Sequence, residues 1–404
     1  AHDIAVSYME SCAPNAILFT YGDNDTYPLW YIQEVEGVRP DIRLVNLSLF
    51  DTDWYINGMR RKVHESEPLP ITMKESQYVS GVRDYMRFTD ANIQGNVELK
   101  EVVDYLLQGD NDLPTKNLKL TVNPQDVIST GTLPASKANQ IAPTLEWRFN
   151  KPYITKGTLA MFDILAHNNW KRPIYFCSTV PGQQFNGLDK YLYSEGLALR
   201  LLPLKTDSLE DNGETPINLE PMYNHIMNKF KWGNIKNASY LDAQSVDDVS
   251  IFSNMFNNLI SGLIKEGRIE DAKKVFKKYD EVMPTKIYSL RMMMGVPTRA
   301  QNLYILGETQ KANDLLKKSA AYIQKELNYL ADLSKSKGEV IGGQNAQLGL
   351  NWSLLPMAQV ASQYKQPALA QQLIAQYEAL DGRFDNLFGR MRQQQMQEQM
   401  GGGE

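Results

Sequence analysis

Apolar residues follow two different rhythms along the chain. Up to about residue 205 they come in short, strand-sized runs, and beyond about residue 218 they recur at helical spacing. Residues 16–21 read as a buried strand, and Gly22-Asp23-Asn24-Asp25-Thr26 as turn chemistry. A helix follows, with Asp25 or Thr26 as N-cap, Pro28 in the first turn and Gly37 as the stop. Residues 42–49 are a second strand, so strand, helix and strand make a βαβ unit with parallel pairing. A further helix is expected over residues 54–64. Residues 118–122 and 145–149 alternate and read as half-exposed strands. Residues 157–168 read as a helix and 173–177 as a buried strand. Residues 197–204 are one more strand, expected at a sheet edge because Pro203 cannot donate to a ladder.

Residues 256–284 fit a tetratricopeptide template. Phe256, Leu259, Ile260 and Leu263 take the first-helix positions, Gly267 the turn, then Ala272, Phe276 and Pro284. A second unit reads Leu303, Gly307, Ala312 and Leu316, and a looser third reads Ala358, Ala361, Ala370 and Ile374. Ala272, Ala312 and Ala370 stand 40 and 58 residues apart, against the regular ~34, so these are degenerate helical pairs with insertions. The expected organisation is an α/β domain with a short, largely parallel sheet over residues 1–205, an acidic linker or loop over 206–220, and an all-α, tetratricopeptide-like domain over 221–404. The Gln/Met-rich end, residues 390–404, is expected to fray into a tail.

Composition narrows the function. The 404 residues are 43% hydrophobic and 22% charged, enough to bury substantial cores. No apolar run approaches the ~18–20 residues that cross a bilayer. With 42 basic against 47 acidic residues the formal charge is −5, which argues against a nucleic-acid partner. Cys12 and Cys177 cannot make a disulfide framework or a four-cysteine zinc site, and read as small buried hydrophobes. The four histidines lack zinc-protease spacing, and no phosphate-binding glycine loop or nucleophile elbow is present. Arg60-Arg61-Lys62 suits a helix C-terminus. Asp207-Ser208-Leu209 matches the short acceptor motif of bacterial O-glycosylation. Ile4, Ser7, Tyr8 and Ser11 continue a helical repeat already running at residue 1, so the chain is expected to be a piece of a longer polypeptide.

The candidate chemistry gathers after the first two strands. Asp23, Asn24 and Asp25 follow one strand, and Asp51 and Asp53 follow the next. Ligands of parallel α/β sheets bind outside the carboxyl ends of the strands. Tyr27, Trp30 and Trp54 would offer flat apolar faces to a sugar, and the carboxylates of Asp23, Asp25, Asp51 and Asp53 would hold a divalent cation. No other cofactor is indicated. The competing account is turn and capping duty, which these residue types favour. Gly-Asp-Asn-Asp recurs at residues 109–112 in an ordinary loop.

The block Thr20-Tyr21-Gly22-Asp23-Asn24-Asp25-Thr26-Tyr27-Pro28-Leu29-Trp30-Tyr31 is the most specific stretch of the chain. With Gly37-Val38-Arg39-Pro40-Asp41, Asn46-Leu47-Ser48, Asp53-Trp54-Tyr55, Trp170-Lys171-Arg172-Pro173-Ile174-Tyr175-Phe176 and Tyr193-Ser194-Glu195-Gly196-Leu197, it resembles one family. This is the Bacteroidota-rich membrane family called domain of unknown function 2723. The resemblance covers about the first 200 residues. It implies a polytopic, protein O-mannosyltransferase-like parent that uses a lipid-linked sugar, with its catalytic acid in a loop between membrane helices. Those helices are not in these residues, so no catalytic residue carries over. What is implied here is the C-terminal portion, on the periplasmic face of the inner membrane. Its partners would be its own membrane-embedded N-terminal region and an acceptor protein or glycan. Three readings follow: an accessory binding domain, a structural scaffold without ligand, and a stand-alone metal-assisted enzyme using the four aspartates.

Overall fold

The computed structural model describes residues 1–109, 111–204, 215–337 and 341–401, with side chains as far as residue 384. The chain forms two compact units, Ala1–Lys231 and Trp232–Glu404.

The first unit is α/β. In chain order it contains α1 (His2–Glu10), β1 (Ile17–Thr20), α2 (Asp23–Glu34), β2 (Arg43–Asn46) and α3 (Asp53–Met59). Then come β3 (Tyr85–Arg87), β4 (Val97–Glu98), α4 (Leu99–Leu107), β5 (Asn117–Thr121) and α5 (Pro124–Ser129). β6 (Thr144–Arg148), β7 (Tyr153–Thr155), α6 (Lys156–Asn168) and β8 (Ile174–Cys177) follow, and β9 (Leu192–Ser194), β10 (Ala198–Leu201) and α7 (Leu219–Asn224) complete it. The main sheet has the order β2-β1-β8-β10-β9. β1 pairs in parallel with β2 (Ile17 opposite Arg43) and with β8 (Ile17 opposite Ile174), so the βαβ unit stands at one side of the sheet with β2 at its edge. β10 and β9 are antiparallel additions. Every residue of β1 and β8 is buried, as strands covered on both faces require. Phe19 and Phe176 stack across the pair at 4.9 Å. β4, β5 and β6 make a second sheet and β3 and β7 a two-stranded ribbon.

Three local expectations change. β10 is an interior strand, not an edge, because Pro203 lies beyond its last residue and no ladder donor is lost. α2 starts at Asp23 with Gly22 as N-cap at φ +76°, so Thr26 and Pro28 lie inside the helix. α3 stops at Met59, five residues short of His64, and an isolated bridge between Val63 and Ser66 turns the chain back. The expected 206–220 linker and Asp207-Ser208-Leu209 fall largely or wholly outside the described residues. α7 and the π-helical turn His225–Lys229 belong to the first unit, although the helical pattern suggested a new domain from residue 221. The reason is a buried polar anchor. Glu195 is 1% exposed and accepts from Tyr175 at 2.6 Å and from Asn218 at 2.6 Å. Its backbone carbonyl meets His225 Nδ1 at 2.6 Å.

The second unit is helical: α8 (Ala243–Lys265), α9 (Ile269–Val282), α10 (Val296–Ile305), α11 (Thr309–Lys337), α12 (Gly343–Gly349), α13 (Leu355–Gln363) and α14 (Pro367–Gly401). Three hairpins, α8–α9, α10–α11 and α13–α14, share one turn. Gly267, Gly307 and Lys365 take the left-handed conformation at φ +71°, +82° and +57°. The next residue donates back to the equivalent carbonyl each time: Arg268 to Leu263, Glu308 to Leu303, Gln366 to Ala361. This is the Schellman closure that ends a helix. Ala272, Ala312 and Ala370 then occupy matching buried positions where helices approach closely. The repeat pattern is therefore real, but in the third pair Leu373 is buried and Ile374 is 41% exposed.

Candidate functional site

The carboxyl ends of β1 and β2 are locked by short polar side chains. Thr26 Oγ1 donates to the Gly22 carbonyl at 2.7 Å and pairs with Thr20 Oγ1 at 2.7 Å. Asn46 Nδ2 donates to Thr26 Oγ1 at 3.0 Å, while Asn46 Oδ1 accepts from the backbone of Ser48 and Leu49. Thr20, Thr26 and Asn46 are all buried, so their hydroxyls and amide need these partners. Sequence reasoning named Asn46 only within a family-like block, and its pairing with Thr26 needs the fold.

The candidate residues divide around this lock. Asp23 and Asn24 are exposed at the start of α2, whereas Asp25 is buried. The Asp23 carboxylate beside the Tyr27 hydroxyl raises that phenol above its ordinary value. Tyr27 stacks on Trp30 at 5.5 Å and is half exposed. Asp51 reaches another element: its Oδ1 accepts the N–H of Gly157, in the first turn of α6, at 3.0 Å. Asp53 Oδ1 accepts from the Trp54 backbone at 2.7 Å and Oδ2 from Ser80 at 3.3 Å. Trp54 is 62% exposed, edge-on to Tyr55 at 5.4 Å. Among the described residues, no three His, Cys, Asp or Glu side chains stand close enough to hold a metal ion. Asp23, Asp25, Asp51 and Asp53 are thus not gathered into one group of that kind. Asp51 and Asp53 face backbone N–H groups of different segments, which is capping chemistry.

Buried charges that the sequence reading did not single out organise the rest of the unit. Asp163 in α6 is fully buried and accepts from Thr72 N at 2.6 Å, Thr72 Oγ1 at 2.9 Å and Met73 N at 3.1 Å. Lys156 is 3% exposed, donates to the Tyr78 and Val79 carbonyls, and pairs with Asp84. The Lys156 ammonium holds the Asp84 carboxyl below its usual range. At the amino ends of the parallel strands, Arg43 and Arg172 both donate to Ser66 Oγ, at 3.2 and 2.9 Å, and otherwise to backbone carbonyls. Burial, then the charge of Arg43, pushes Arg172 down to about 10. No pattern along the chain marks a buried Arg that serves carbonyls rather than a carboxylate.

The helical unit holds a cavity of about 400 Å³ between α9, the α9–α10 connection, α10 and α11. That volume lies within the ~300–1,000 Å³ range of ligand pockets.

A family profile described as TMEM260-associated domain 2 matches residues 1–219. The chain belongs to this family. The TMEM260-associated match covers the whole α/β sheet and reaches Asn218, which holds the Glu195 carboxylate. No curated protein and no solved structure matches the chain. Among the described residues of this TMEM260-associated chain, no helix is long and apolar enough to cross a membrane.

Proposed function

We propose that this chain is an accessory, partner-binding portion of a TMEM260-like membrane glycosyltransferase of the protein O-mannosyltransferase type. Sugar transfer from a lipid-linked donor takes place in a membrane-embedded region, and these residues work on its periplasmic side. There they hold an acceptor protein or glycan. The observation that carries this reading is the TMEM260-associated match over residues 1–219. The site geometry agrees with a binding role rather than catalysis. Asp51 and Asp53 accept backbone hydrogen bonds, while Tyr27, next to Asp23, and Trp54, next to Asp53, are exposed aromatic side chains. Aromatic faces of this kind suit sugar rings or apolar side chains.

The test is a transfer assay with a lipid-linked sugar donor and acceptor protein. The purified chain alone should transfer nothing, and membranes containing the TMEM260-like partner should gain acceptor binding when the chain is present. Robust transfer by the isolated chain sinks the reading. A scaffold role is the second reading, favoured by the backbone-directed bonds of Asp51 and Asp53. It predicts that Tyr27→Ala with Trp54→Ala leaves acceptor binding unchanged.

A further inference from the structure

The first two helical hairpins are separated by an insertion, residues 283–295, which contains the 3₁₀ turn Leu290–Met293. The α8–α9 and α10–α11 turns are tight, so this connection carries the excess that stretches the repeat step to 40 residues. Insertions in repeat arrays tend to build binding faces. Here the insertion supplies one wall of the 400 Å³ cavity. The inner wall is apolar: Met283, Met293 and Val296 are each under 4% exposed. Methionines adapt to irregular ligands.

Arg299 lines this apolar space. The Arg299 guanidinium donates to Ser253 Oγ and, at 3.3 Å, to Asn257 Oδ1, and it lies 4.3 Å over the Tyr279 ring. Each of these partners is neutral, so the guanidinium is fixed in place by groups that carry no charge, while Asp280 and Asp314 stand elsewhere on the lining. Lys286, Lys311 and Lys318 on the lining are exposed, as are Asp280 and Asp314, and Lys311 pairs with Glu308 at 3.5 Å. Lysine and arginine outnumber aspartate on the lining, in a chain whose overall charge is −5. An apolar chamber with one fixed cation and a lining of net positive charge complements an apolar molecule carrying one negative group.

We propose that this cavity binds a small amphiphilic carboxylate, with its acid on Arg299 and its apolar body among Met283, Met293 and Val296. The inference does not depend on the glycosyl-transfer reading, because the cavity lies wholly within the helical unit.

The probe is sodium decanoate below its micelle concentration, titrated calorimetrically into the full chain beside decanol and a hexapeptide ending in Leu-Leu with a free carboxylate. Decanoate should saturate one site and bind about 10-fold or more tighter than decanol, the scale of a charge-assisted hydrogen bond. Arg299→Gln should erase that difference. Lys318→Glu reverses a charge on the lining and removes the 2.8 Å bond to the Thr285 carbonyl; it should weaken decanoate several-fold and decanol less. If Arg299→Gln unfolds by circular dichroism, the decanoate–decanol pair and Lys318→Glu decide alone. Equal binding of decanoate and decanol, or no saturable site, overturns the proposal. So does tighter binding of the peptide than of decanoate, since the occupant is then a polypeptide.

Discussion

Asp51 and Gly157 are 106 residues apart, yet the Asp51 carboxylate accepts the Gly157 N–H at 3.0 Å and so ties the turn after β2 to the start of α6. The contact needs a residue without a side chain: a Cβ on Gly157 would stand 2.5 Å from Asp51 Oδ1 and 2.8 Å from the Phe50 carbonyl. Gly157→Ala should therefore cost about 1–3 kcal/mol, as overpacking does. Asp51→Ala, which removes only the cap, should cost about 0.5–2 kcal/mol. Urea unfolding of both variants checks the order. A neutral Gly157→Ala would show that the two segments are not held this closely.

The His225 imidazole is pushed below its ordinary 6.5, chiefly by burial. Between the folded value and 6.5 the unfolded chain therefore binds more protons than the folded one. Stability rises with pH through that window and is lost as pH falls through it. His225→Gln keeps a donor for the Glu195 carbonyl but does not titrate, so it should lose less stability between pH 7 and pH 5 than the parent. His2, raised by hydrogen bonds to Asp3 and Glu36, acts with the opposite sign in both proteins. The readout is thus the difference between the two urea midpoints across pH. Identical slopes would remove His225 as a titrating group.

Gly267, Gly307 and Lys365 occupy the same left-handed turn position, but only Lys365 carries a Cβ there. Left-handed backbone costs a non-glycine residue roughly 1–2 kcal/mol. Lys365→Gly should accordingly raise the thermal midpoint, and Gly267→Ala should lower it by a comparable free energy. A Lys365→Gly protein no more stable than its parent would mean that the third hairpin closes differently.

Cys12 and Cys177 are both free and buried, and burial pushes both thiols well above their ordinary range. The folded protein should be inert to a thiol reagent such as dithionitrobenzoate at pH 8, and should release two equivalents of chromophore only in denaturant. Fast labelling without denaturant would place at least one thiol at the surface.

Much of this architecture is legible along the chain. β1 and β8 are nearly continuous apolar runs because both faces of a parallel sheet are covered, and β2 is equally buried although Arg43 and Asn46 bound it. The hairpins announce themselves through Gly267, Gly307 and the buried alanines. Short strands such as β4 and β9 carry too few residues to show any period, and β10 could not be ranked within the sheet without its neighbours. The acidic turn invited a metal, yet Asp51 and Asp53 accept from N–H groups 106 and 27 residues away, Asp53 also from its neighbour Trp54. Distances of that kind are invisible to spacing rules. The cavity is hidden for the same reason, since Arg299 gains its meaning only from Ser253, Asn257 and Tyr279 on other helices.

The anchor at Glu195 also fixes where the α/β unit can be cut. A recombinant polypeptide ending just after β10 would keep the buried carboxylate but lose Asn218, and would strip the neighbouring carbonyl of His225. The carboxylate would keep Tyr175 and Arg200, so losing the amide partner should cost about 1–3 kcal/mol, and such a truncation should be less stable than the intact unit. Ending the polypeptide at Lys231, whose backbone meets Ser7 in α1, keeps every member of that network.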